Sequence, residues 1–126
     1  LQQAKALTQT DHQAFNALIV DAIQDIKGQD IAALDLRKLT DASADFLIVC
    51  EGNSNTQVSS IADNVIKKVG EATGQWPAHV EGMRNARWVL VDYVNTVVHV
   101  FHREARDFYR LEELWSDGIV SKYENA

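Results

Sequence analysis

The chain has 126 residues, of which 46% are hydrophobic and 24% charged, and its formal net charge is −6 at pH 7. That length suits a single ordinary core and is too short for two, and the composition excludes a disordered chain. The acidic balance excludes a protein that holds nucleic acid by broad phosphate neutralisation, while leaving room for a local basic patch.

Residues Leu1 to Gln9 are polar-rich and aperiodic, which reads as a loosely held arm. One domain is expected over residues 12–120, with an N-terminal arm over 1–11 and a C-terminal tail over 121–126. Thr10 and Gln13 have capping-box spacing, and Phe15, Leu18, Ile19, Ala22, Ile23 and Ile26 make an amphipathic helical stripe closed by Lys27 and Gly28. Ile31 to Leu36 is a short strand, Arg37 to Ala44 is turn-like, and Asp45 to Glu51 (DFLIVCE) is a central strand covered on both faces. Gly52-Asn53-Ser54 breaks it, and Ser54 with Gln57 repeats the capping spacing. Val58, Ile61, Ala62, Val65, Ile66 and Val69 then mark a second helix ending between Gly70 and Gly74.

Trp76-Pro77 begins an extended piece, and Ala78 to Glu81 is a short peripheral strand. Two β-branched and aromatic runs, Trp88 to Asp92 and Val97 to Phe101, flank the tetrad Tyr93-Val94-Asn95-Thr96 and predict a hairpin. Ala105, Phe108, Leu111 and Trp115 then fall at helical spacing. The fold class is α/β: a mixed central sheet of about five strands, two long helices packed on it, and a short C-terminal helical segment. Whether the long helices share a face is not encoded in their stripes.

Cys50, the only cysteine, permits no internal disulfide; with no signal-peptide-like start, a reducing cytoplasmic home is expected. No apolar run reaches the length of a membrane span. Cys50 lies inside FLIVC, where a thiol behaves as a small buried hydrophobe rather than as the nucleophile of a triad with His99 and Asp92. His99 and His102 point to opposite faces of a strand and cannot share a metal, so no metal site is expected; His99 reads as a hydrogen-bonded strand histidine.

The Gly52-Asn53-Ser54 turn can present amides to phosphate, but it has no lysine, and Asp92 has no second acid beside it for divalent metal. Arg103, Arg106 and Arg110 line one side of the last helical segment, with Phe108, Leu111 and Trp115 on another. Tryptophan, tyrosine and arginine are the residues in which protein-binding hot spots are enriched, which singles out Trp88 and Tyr109.

Several motifs resemble one family. CEGNSNTQVSSIADNV (Cys50 to Val65), EGMRNARWVLVD (Glu81 to Asp92) and VVHVFHREARDFYRLEELW (Val97 to Trp115) resemble, in order, stretches of the Iojap-like ribosomal silencing factors. GQDIAALDL (Gly28 to Leu36) fits as well, and the resemblance covers about residues 12–116. It implies a nucleotidyltransferase-like α/β fold without catalytic carboxylates, no cofactor and no enzymatic role. It also implies binding to the large ribosomal subunit through ribosomal protein fourteen, blocking subunit joining and repressing translation when nutrients are scarce.

The family's hairpin tryptophan matches Trp88, and the matching motifs extend the expected partner-binding site to Glu81, Gly82, Asp92, Arg106 and Tyr109. Where that family commonly carries Gly-Asp in the hairpin turn, this chain has Val94-Asn95. Asn95 can take a left-handed conformation cheaply and Val94 cannot. Two readings from other classes stand beside this one: a nucleotide-binding transferase using Ser54 and Asp92, and a homodimerising module pairing through the Trp88 strand. Contact with ribosomal RNA is expected to be peripheral at most.

Overall fold

The computed structural model describes residues 9–39, 42–109 and 119–125. In chain order the elements are α1 (Gln9–Asp25), β1 (Gln29–Asp35), β2 (Phe46–Gly52), α2 (Asn55–Thr73), β3 (His79–Glu81), β4 (Trp88–Asp92), β5 (Thr96–His102), α3 (Arg103–Tyr109) and β6 (Ile119–Tyr123). The strands form one sheet in the order β3-β4-β5-β2-β1-β6. Only β2 and β5 run parallel; every other neighbouring pair is antiparallel. The run FLIVCEG forms β2, inside the sheet between β1 and β5, and all seven of its residues are buried. A continuous apolar run is what a strand covered on both faces requires.

Both long helices lie on the same face. Phe15, Ile19 and Ile23 of α1 and Val58, Ile61, Val65 and Val69 of α2 close over Ile31, Ile48, Cys50, Val89, Val91, Val98 and Val100. Asn64 Nδ2 donates to the Ala22 carbonyl at 2.8 Å, and Lys68 pairs with Asp25 at 2.8 Å, fixing one helix against the other. Ser54 caps α2, its hydroxyl accepting from the Gln57 amide at 3.1 Å. Gln57 reaches back to the Asn53 amide, one residue earlier than a standard capping box would. The opposite face carries a smaller cluster of Ala32, Leu34, Leu36, Leu47, Val49, Phe101 and Ala105, with Trp88 and Val97 packed at its margin.

Three details differ from the sequence reading. A sixth strand, Ile119–Tyr123, pairs with β1 and reaches into the stretch read as tail. Helix α1 begins at Gln9, so Thr10 lies within its first turn rather than ahead of it. Lys27 (φ 63°), not Gly28, takes the left-handed position after α1. Gly28 is required for space instead, since a Cβ there would stand 2.3 Å from Ile23 Cγ2. Among the described residues, no helix is long and apolar enough to cross a membrane.

Candidate partner-binding face

The β4–β5 hairpin sets the geometry. Its register pairs Trp88 with Phe101, Leu90 with His99 and Asp92 with Val97, so these six side chains share the face turned away from α1 and α2. Trp88 is half-buried at the start of β4. Its ring stacks on Phe101, with centroids 5.1 Å apart and planes at 24°, and lies 5.7 Å from the His99 ring. Trp88 Nε1 donates to His99 Nδ1 at 2.9 Å. Burial lowers the pKa of His99 to about 4 against the opposing pull of Asp92, so the imidazole is neutral at physiological pH and free to accept.

Gly82 brings the β3 side of the sheet into contact with the same tryptophan. Its φ is +87°, and a Cβ there would fall 2.0 Å from the Trp88 carbonyl oxygen, so only glycine fits on both counts. Glu81, Gly82, Trp88 and Leu90 line a pocket of about 210 Å³. Glu81 is exposed, with its carboxylate 2.6 Å from His79 Nε2.

Three of the residues singled out in the sequence, Glu81, Gly82 and Trp88, are therefore brought together. Asp92 shares their face but lies four residues along the strand, roughly 13 Å away. Its Oδ1 accepts from the Val94 amide at 2.7 Å, which commits it to the hairpin turn. The turn itself differs from expectation: Val94, not Asn95, is the residue with positive φ (76°).

Arg106 is buried in α3. It donates to the Asp30 carbonyl and lies 3.5 Å from Glu51 Oε1, while Arg103 Nε lies 3.3 Å from Glu51 Oε2. Burial, and then the charge of Asp30, push the Glu51 carboxyl above its usual range; the two arginines oppose this. Glu51 is in register with Phe101, which is in register with Trp88, so this ionic cluster sits about 10 Å from Trp88 across the strands. Tyr109 ends α3, and its side chain lies outside the described residues, as do the side chain of Phe108 and the whole of Arg110, Leu111 and Trp115. Sequence reasoning missed Leu90 and Phe101 as neighbours of Trp88. Strand alternation alone puts Leu90 beside Trp88, and folding the chain about Val94-Asn95, where the observed register is centred, would have paired Trp88 with Phe101.

The other candidates for chemistry are already engaged. Cys50 is fully buried, and burial raises its pKa to about 12, far from a thiolate-favouring environment. At the start of α2 the Asn53 and Gln57 amides are taken by the chain's own side chains. Among the described residues, no group of three His, Cys, Asp or Glu is placed to hold a metal ion.

Residues 9–125 match the family model described as ribosomal silencing factor during starvation. The chain belongs to the ribosomal silencing factor family. The ribosomal silencing factor RsfS of Halalkalibacterium halodurans is 42% identical over 115 residues, covering 91% of this chain and 97% of that protein. The RsfS of Bacillus subtilis is 44% identical over 100 residues, covering 79% of this chain and 83% of its own. A crystal structure of a Chromobacterium violaceum protein, 42% identical, superposes with a TM-score of 0.78 over 82% of this chain and 85% of that one. The mixed sheet and paired helices described above are thus the architecture of a silencing factor.

Proposed function

We propose that this protein silences ribosomes by docking on the large subunit through ribosomal protein fourteen and occupying space that the small subunit needs, which represses translation under nutrient limitation. The observation that carries this reading is the Trp88 ring. It is half-buried, held in a stack, and presented on the face that the two long helices leave uncovered, beside a pocket lined by Glu81, Gly82 and Leu90. The relatives named as ribosomal silencing factors support the ribosome as the partner. Glu81, Gly82 and Leu90 form the rim of the contact, Asp92 fixes the turn behind it, and Arg106 secures α3 against the sheet. Tyr109 belongs to the contact on its motif position alone. Such work takes place in the cytoplasm.

The action is steric and needs no catalyst or cofactor. Joining is blocked if binding outcompetes the small subunit, and each tenfold in that competition takes about 1.4 kcal/mol. An aromatic anchor worth roughly 2 kcal/mol or more shifts it by about thirtyfold. Trp88→Ala is therefore expected to weaken cosedimentation with purified large subunits by about that factor and to restore subunit joining, with its circular dichroism unchanged. Wild-type binding by a folded Trp88→Ala protein refutes the reading.

A further inference from the structure

An indole has one polar atom, and that atom can only donate. Because Trp88 Nε1 donates to His99 Nδ1 at 2.9 Å, the facing imidazole nitrogen must carry a lone pair and the ring proton must sit on Nε2. His99 is 8% exposed and belongs to β5, which is hydrogen-bonded on both sides by β2 and β4. Among the described residues only the three-residue β3 lies beyond β4 in the sheet, so Trp88 projects from its less supported side and His99 from its interior. Phe101 completes the set, its ring 6.2 Å from His99 at 14° and 5.1 Å from Trp88 at 24°. A hydrogen bond to the nitrogen edge and a stack on one face together select one rotamer of a side chain that otherwise has several.

We propose that His99 is the positioning residue of the docking face: through Nδ1 it holds the Trp88 indole in its binding-ready orientation before the partner arrives. The inference rests on the Trp88-centred docking reading and says how that contact is prepared. Burial keeps the imidazole neutral, as this role needs. The indole N–H is spent inside the protein, so the partner meets the ring's hydrocarbon surface; its matching group is apolar or stacks on the ring. An ordered ring also avoids the roughly two- to tenfold loss in affinity that freezing a mobile interface side chain imposes.

The test compares His99→Leu, which removes the acceptor and keeps an apolar side chain, with His99→Gln, which can supply an amide oxygen. Two readouts are taken: hydrogen exchange of the Trp88 indole N–H by NMR, assigned from its absence in Trp88→Phe, and affinity for purified large subunits. In His99→Leu the indole proton is expected to exchange at least tenfold faster and affinity to fall about three- to tenfold, at an unchanged or higher melting temperature. His99→Gln is expected to restore slow exchange and most of the affinity.

Wild-type affinity in His99→Leu beside weak binding in Trp88→Ala overturns the positioning role and leaves the docking reading standing. Wild-type affinity in Trp88→Ala overturns both. If His99→Leu does not fold, the wild-type indole decides: solvent-rate exchange of that proton refutes the proposal, and protection with restored affinity in His99→Gln upholds it.

Discussion

Changing Val94 to glycine is expected to stabilise this protein, although valine is the better strand former. Val94 has φ +76°, its amide is held by Asp92 Oδ1 at 2.7 Å, and the Asn95 amide turns back to the Tyr93 carbonyl at 3.0 Å. This is a γ-turn with positive φ at its centre, a rare and strained geometry, and it is occupied by a β-branched residue. A non-glycine residue in left-handed backbone costs about 1–2 kcal/mol. The side chain returns little of this, being 62% exposed and belonging to neither core cluster. Glycine's greater freedom in the unfolded chain takes back about 0.4–1 kcal/mol. The net gain is about 0.5–1 kcal/mol, or roughly 2–4 °C in melting temperature for a domain of this size.

Calorimetry and urea unfolding of Val94→Gly and Val94→Ala separate the contributions. Alanine keeps the Cβ that strains the backbone and loses only exposed methyls, so its stability is expected within about 0.5 kcal/mol of wild type. Glycine alone is expected to rise, with an unchanged denaturant slope. A Val94→Gly protein that melts at or below the wild-type temperature would show that the positive φ carries no cost here, and the strain argument would fail.

Stability is also expected to depend on His99 below neutrality. Its folded pKa of about 4 lies under the ordinary 6.5, so the unfolded chain binds the proton more readily; the contribution is complete above pH 6.5 and lost as pH falls toward 4. The shift corresponds to at most about 3 kcal/mol, and urea midpoints between pH 4 and 7 should fall more steeply for wild type than for His99→Leu; parallel curves would refute this. Gly82→Ala should cost about 2 kcal/mol or more, because it combines positive φ with a Cβ 2.0 Å from the Trp88 carbonyl, and it should weaken large-subunit binding by displacing the ring. A fully stable Gly82→Ala protein would contradict that packing. Arg106→Met removes one of the two guanidinium groups facing buried Glu51 and should cost about 2–4 kcal/mol by chemical unfolding. Adding Glu51→Gln should recover much of that loss, and failure to recover it would place the role of Arg106 elsewhere.

What the sequence made legible follows from how local each signal is. The FLIVC run declared a buried strand, and Ser54 with Gln57 declared a helix start, because neighbours in sequence carry those signals; both are found. Strand β6 left no such mark. All five of its residues are exposed and, among the described strands, it pairs with β1 alone, so it has no buried face to impose alternation. The shared face of α1 and α2 is a relation between distant segments, and a stripe says only that a helix buries one side. Arg106 was expected at the partner-binding site on its motif position, and the structure buries it against Asp30 and Glu51 instead. The informative residue was Glu51: a carboxylate closing an apolar run needs a cationic partner, and two arginines stand on the helix after β5 to supply it. Motif position alone singled out Glu81, Gly82 and Trp88, which the structure brings together. Leu90 required only strand alternation from Trp88, and Phe101 required the hairpin register as well.

The protonation states of the buried groups argue for a binding surface over a catalytic one. A general acid or base works best with a pKa near the operating pH, and environments in active sites are arranged to bring it there. Here burial moves three groups the other way: His99 to about 4, and Cys50 and Tyr93 to about 12. The carboxylates near the hairpin and α3 are engaged in contacts within the chain, Asp92 with the turn and Glu51 with two arginines. His99, Cys50 and Tyr93, each held in its neutral state, make poor proton carriers and good supports. With both long helices on one side of the sheet, the opposite side presents a tryptophan whose polar atom is already satisfied from within. On the docking reading proposed above, such a ring would offer a partner hydrophobic area with the cost of ordering it met in advance, and holding a large assembly would need no chemistry.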